Sequence, residues 1–178
     1  MRSVNELAGF INNNRGVAVG NRYRVILPTD FNITQADAKT LDLFCNAVNL
    51  PGRQILTVDR QIGPSFQKMA YGYLSDDVNL SFMLTNRPVV KQYFEQWQQM
   101  AVASSQQDGV HHPRYKTEYA RDVTIDHLDK NGEMVYSVTL IKAFPTTVSA
   151  VQLGNETIDR VQLDVQLSYT RWYVNGDE

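Results

Sequence analysis

The side chains best able to do chemistry are His111-His112, His127 beside Asp126, Cys45 and the adjacent pair Asp76-Asp77. Neighbouring histidines can begin a metal site, but their side chains diverge and no second ligand pair sits at a recognised spacing, so they read as loop. His127 follows a carboxylate on an alternating segment with no nucleophile implied nearby, which fits a surface strand histidine better than a triad. Cys45 lies in an apolar run, as suits a small core residue rather than an activated thiolate. Adjacent residues on a strand face opposite ways, so Asp76-Asp77 marks a strand start rather than a carboxylate pair. Glycine-rich phosphate loops and the metalloprotease helix signature are missing. The sequence calls for no catalytic residue, no metal and no cofactor, and leaves an enzyme only through a site assembled across the fold.

A second set of residues offers contact rather than chemistry. From Pro51 to Asp77 the chain shows no sustained helical or strand period, yet it carries Ile55, Leu56, Val58, Ile62, Phe66, Met69, Tyr71, Tyr73 and Leu74. Such a segment is too apolar for a solvated linker and too long for an ordinary connection. It reads as an extended inter-strand arm that needs another surface to cover. Phe66, Tyr71 and Tyr73, with Arg53, Arg60 and Lys68 nearby, could stack on bases. The same residue types are enriched at protein interfaces, and with a formal net charge of -2 and no basic stripe the interface reading is favoured.

The elements that would carry this arm are legible in the periodicities. The length of 178 residues suits one domain, with an N-terminal helix and arm over 1–20, the long loop over 51–77 and a helix over 87–105. Ser3 to Glu6 reads as a capping box ahead of a short stripe of Val4, Leu7 and Ile11 with Phe10 beside it. Arg22 to Leu27 predicts a strand, and Leu41, Leu43 and Cys45 a second. Leu80, Phe82 and Leu84 alternate with Asn79, Ser81 and Thr85 in a third. Asn86 and Pro88 then open a helix whose apolar stripe is Val90, Tyr93, Phe94, Trp97 and Ala101. Ser104 to Arg114 is expected to be loop. Asp122 to Leu128 and Glu133 to Ile141 flank Asn131-Gly132, a hairpin signal in which both turn residues would take positive φ. Pro145 interrupts the pattern, and Val161 to Tyr169 alternates strictly to finish it. The fold class is mainly β, an antiparallel β-sandwich or barrel with one packed helix. Met1 to Phe10 is too polar for a signal peptide and no apolar run approaches the ~20 residues of a membrane span, so membrane insertion is not expected.

Several segments, taken in order, resemble the tail tube protein family of contractile-tailed bacteriophages. They are Phe44 to Gly52, the helix Gln92 to Gln98, Tyr119 to Asp122, Ala143 to Thr146 and Val165 to Tyr169. Phe94 and Trp97 match the family's helix motif, and Phe144-Pro145-Thr146 resembles its corner before the final strands. The resemblance implies an Hcp-like sandwich, six copies to a ring, with rings stacked as a hollow tube through which DNA passes without specific binding. It also implies a structural, non-enzymatic virion protein assembled in the host bacterial cytoplasm, with sheath, baseplate and tape measure proteins as partners. In such families the N-terminal segment and long loop bridge neighbours, which makes Leu7, Phe10, Arg53, Ile55, Arg60, Phe66, Tyr71 and Tyr73 the expected inter-subunit contacts. The wet faces bearing Asn79, Ser81, Gln162, Asp164 and Gln166 are the expected lumen positions.

Two stretches depart from the family pattern, namely Pro28 to Lys39 and the added C-terminal Arg171 to Glu178. Both fit a decorated tube subunit, or a baseplate-proximal initiator or tail completion protein of the same fold. A small ligand-binding barrel is the alternative from another class.

Overall fold

The computed structural model describes residues 20–30, 40–104, 111–151 and 160–175, together with Gly9 and Ile11. Leu7, Phe10 and the capping box lie outside the described residues, as do 31–39 of the first departure.

Eleven strands and two helices are described: β1 Tyr23–Ile26, β2 Cys45–Val48, β3 Arg53–Ile62, β4 Ser65–Ser75, β5 Val78–Met83, α1 Val89–Ala101, β6 Val102–Ser104, β7 His111–Pro113, α2 Lys116–Tyr119, β8 Arg121–Leu128, β9 Met134–Val148, β10 Gln162–Ser168 and β11 Arg171–Val174. Seven strands form one antiparallel path in the order β1-β8-β9-β10-β5-β2, with β11 paired to β9 off the path. Alternation is the reason the path has a core side. Val78, Leu80 and Phe82 of β5 and Leu163, Val165 and Leu167 of β10 are buried, whereas Asn79, Gln162 and Asp164 between them are exposed. Val123 and Ile125 of β8 and Val138 and Leu140 of β9 enter the same apolar cluster, so the path folds back upon itself. Its two ends meet where the Tyr23 hydroxyl of β1 donates to the Cys45 carbonyl of β2 at 3.0 Å.

Strand β9 serves both halves. Its first part pairs with β8 and β11, and from Phe144 onward it pairs with β10. The crossover is a bulge, since Arg121 faces Ala143 while Val123 faces Leu140. Lys142 sits in the extra space with φ 53°, its amide donating to Asp122 Oδ1 at 2.9 Å. Pro145 does not interrupt the strand as expected. It pairs with Leu167 on one side, and β10 is the partner that this part of β9 has in the path, so the missing N–H breaks no ladder.

Helix α1 closes the apolar cluster with Val90, Tyr93, Phe94 and Trp97, all of them buried. The rings meet edge-on, with Tyr93 5.0 Å from Phe94 and 5.9 Å from Trp97. Both polar ends of these aromatics are satisfied, the Tyr93 hydroxyl by the Pro28 carbonyl and the Trp97 indole N–H by the Tyr119 carbonyl, each at 2.7 Å. The helix is shorter than the 87–105 expected. Pro88 occupies the N-cap position with no side-chain cap, so Asn86 does not cap it.

Other expectations are corrected by local geometry. Leu41 to Phe44 is a 3-10 turn rather than strand, with Leu41 buried and Leu43 77% exposed. The segment expected as loop after Ser104 contains β7, which pairs with β6 at Ala103↔His112 and Ser104↔His111. In the β8–β9 turn the Gly132 amide donates to the Asp129 carbonyl at 2.9 Å and only Gly132 has positive φ, at 81°. That is a type I turn closed by a glycine bulge, so Asn131 is not asked for the left-handed conformation.

Candidate assembly surfaces

The arm is a two-stranded ribbon, not a long loop. β3 and β4 pair antiparallel from Arg53↔Ser75 to Ile62↔Ser65, and Gly63, at φ 65°, turns the tip. Ten residues at about 3.3 Å each give the ribbon a reach of roughly 33 Å. It joins no other sheet among the described residues. Large apolar side chains therefore stand in solvent on a part of the chain that has its own hydrogen bonds but no covering layer. Phe66 is 71% exposed, Tyr71 68%, Ile55 62% and Tyr73 59%. Isolated two-stranded ribbons are marginal in water, and exposed apolar surface of this extent is unusual on a monomer. Arg53, Ile55, Arg60, Phe66, Tyr71 and Tyr73 are thus brought together on one projection, with Arg53 at its root and Phe66 near its tip.

The expected lumen residues are also brought together. Across β5 and β10, Asp164 faces Ser81, Gln166 faces Asn79 and Gln162 faces Met83, so all five project from the side away from the apolar cluster. They are tied laterally: the Ser81 hydroxyl donates to Asp164 Oδ1 at 2.5 Å and the Gln166 amide to Asp77 Oδ2 at 3.1 Å. The adjoining outward positions are Ala47 on β2 and Thr147 on β9. This face carries carboxylates and amides and, among these positions, neither lysine nor arginine.

The residues considered for chemistry lie apart. His111 and His112 are exposed on β7, and His127 is half-buried on β8 opposite Tyr136. Asp126 is buried and engaged, accepting from Arg24 at 2.8 Å and from the Ser137 hydroxyl at 2.7 Å. Burial pushes the Cys45 thiol up to about 11, against a smaller lowering by Tyr23. That environment keeps it a neutral, weakly nucleophilic group beside Tyr23. Asp76 and Asp77 link β4 to β5, with the Asp76 carbonyl accepting from the Tyr169 hydroxyl at 2.7 Å. A cavity of about 650 Å³ lies between the end of α1, β7 and Phe144. His111 lines it together with Glu95 and Arg114, with no serine or cysteine among the described lining residues. Among the described residues no three His, Cys, Asp or Glu side chains converge to hold a metal ion, and no helix is long and apolar enough to cross a membrane.

Sequence reasoning missed the root of the arm. Trp172, in the C-terminal stretch set aside as an addition, lies on β11 opposite Leu140, half-buried against the apolar cluster. A lone tryptophan beside a polar tail leaves no periodic signal, so sequence alone had little to find it by.

The comparisons with known proteins agree with this architecture. No curated protein sequence matches the chain. Among solved structures, the chain is similar to one in the cryo-EM structure of an extracellular contractile injection system, the PVC sheath-tube complex in its extended state, with TM-score 0.63, 15% identity and 98% of each chain covered. A chain of the six-fold symmetrised anti-feeding prophage baseplate gives TM-score 0.63 at 15% identity, covering 90% of this chain and 96% of that one. A chain of the anti-feeding prophage tube-terminating cap gives TM-score 0.63 at 13% identity, covering 89% and 90%. At such identities the likeness is one of fold. The family model described as phage tail tube protein matches residues 14–175. With that match spanning nearly the whole chain, the protein belongs to the phage tail tube family, a family of structural proteins.

Proposed function

We propose that this chain is the repeating subunit of a contractile tail tube, in which six copies close into a ring, rings stack through the arm, and DNA passes along the bore. The observation that carries the reading is the half-sheet β9–β10–β5–β2, in which β2 and the part of β9 from Phe144 onward have no second strand partner among the described residues, and whose outward face is polar and free of cations at the positions named above. Joining the β2 edge of one copy to the β9 edge of the next is a head-to-tail contact, which closes into a ring when the rotation permits. Four strands at about 4.8 Å span roughly 19 Å, so six copies give a circumference near 115 Å and, after side chains, a bore of about 25 Å. Three copies would leave almost no opening. A bore lined by Asn79, Ser81, Gln162, Asp164 and Gln166 gives passing DNA no lysine or arginine to displace its counterions, and so little reason to adhere. The outside of the ring would then face a sheath, with baseplate and tape measure proteins at the tube's end and interior. The particle would assemble in the host bacterial cytoplasm.

Size-exclusion chromatography with negative-stain microscopy tests this. The full chain, at 20.3 kDa per subunit, should give rings of about 120 kDa or longer tubes with sixfold end views. Deleting Arg53 to Tyr73 should leave a folded domain that no longer forms tubes. A clean monomer at high concentration, or full-length tubes from the deletion variant, would refute the reading.

A further inference from the structure

At the root of the ribbon, Arg53 lies at the centre of a cluster that joins it to the domain body. The Arg53 guanidinium lies 4.9 Å from the centroid of the Tyr73 ring and 4.8 Å from that of Trp172. Tyr73 belongs to the ribbon, whereas Trp172 belongs to β11 and is packed against the apolar cluster. The cation therefore bridges the projecting ribbon to a ring of the domain body. The other strand of the root is tied by the Tyr169 hydroxyl on the Asp76 carbonyl and by the Gln166 amide on Asp77. Beyond this root the ribbon pairs with no other strand among the described residues, which makes the root the place where its direction can be set.

We propose that Arg53 is a positioning residue, clamped between Tyr73 and Trp172, and that the C-terminal strand thereby sets the direction in which the arm leaves the domain. The inference rests on the reading of the arm as the assembly element for its consequence, though not for the clamp itself. Only a planar guanidinium can present a charged face to two rings at once, so lysine is a poor substitute. Holding the arm in one orientation before a neighbour arrives lowers the ordering cost of each contact it makes.

The test uses the full chain below its assembly concentration, with Cys45→Ser removing the native thiol. Spin labels are placed at Gln61→Cys near the tip and Asn86→Cys on the body, and their distance distribution is measured by pulsed electron resonance. Arg53 is exposed, so Arg53→Ala and Arg53→Lys should fold normally. Arg53→Ala should raise the population outside the main distance about tenfold, with a smaller rise for Arg53→Lys. Acrylamide quenching should increase for Trp172 while Trp97, fully buried, stays dark to the quencher. If Trp172→Leu lowers the melting point, Tyr73→Leu removes the other ring without touching the apolar cluster. Unchanged distances and quenching in both Arg53 variants would overturn the clamp. A broadened distribution with tube formation unaltered would uphold the clamp and refute the arm's role in assembly.

Discussion

Consider converting the arm from apolar to polar without deleting it, by the triple substitution Ile55→Thr, Phe66→Thr and Tyr71→Thr. Threonine keeps the strand preference and the backbone pairing, so the ribbon remains a ribbon. Each replaced side chain is about two-thirds exposed in the isolated subunit. Fully burying a large apolar side chain contributes about 1.5–3 kcal/mol, so covering the exposed part contributes roughly 1–2 kcal/mol per residue and about 3–6 kcal/mol for the three. At about 1.4 kcal/mol per factor of ten, the concentration needed for tube formation should rise by roughly 10² to 10⁴. None of the three belongs to the buried cluster, so the melting temperature of the unassembled domain should move by less than about 2 °C. Sedimentation across a concentration series gives the first quantity and scanning calorimetry the second. Tubes forming at the unaltered concentration would show that the arm's apolar face is not what subunits bury. A large fall in melting temperature would show instead that the ribbon is part of the domain's own core.

Two further outcomes concern the domain itself. Trp97→Ala removes a fully buried ring and leaves the Tyr119 carbonyl without its donor, which should cost about 3–5 kcal/mol and lower the melting temperature by roughly 10 °C in calorimetry. Trp97→Phe, which keeps most of the packing, should lose less than half as much. The Cys45 thiol and the Tyr23 phenol, raised mainly by burial to about 11 and about 12 from ordinary values of 9.0 and 10.0, make stability fall at high pH. Between the ordinary and raised values the unfolded chain has lost protons the folded chain retains, so urea midpoints should be level up to about pH 8 and decline from about pH 9 upward. Cys45→Ser should remove the first part of that decline, and a midpoint that rises with pH there would contradict the burial.

The elements that were legible are those with one wet and one dry face. β5, β10 and α1 announce themselves because Leu80, Leu163 or Trp97 must point inward while Asn79, Asp164 or Glu95 must not. The ribbon was hidden for the opposite reason: with solvent on both sides, no alternation is imposed. Adjacent apolar pairs such as Ile55-Leu56 and the register shift between Leu56 and Thr57 erase what period remained. Leu41 and Leu43 imitated a strand because two residues two apart cannot distinguish strand from a tight turn. The grouping of the five polar positions on β5 and β10 followed from alternation, but their cross-strand register, and with it the Ser81–Asp164 and Gln166–Asp77 hydrogen bonds, depends on pairing between residues 83 and 89 positions apart. The Arg53–Trp172 contact is longer-range still and had no local signature.

The kink at Lys142 has a mechanical consequence. Because β9 runs unbroken through both halves of the path, the two halves cannot slide past one another by exchanging hydrogen bonds; any shear must bend covalent backbone, most readily where the ladder is already irregular. A subunit built this way resists extension along the strand and yields first at its bulges. Load applied along β9 would travel through peptide bonds rather than through the weaker pairing between strands.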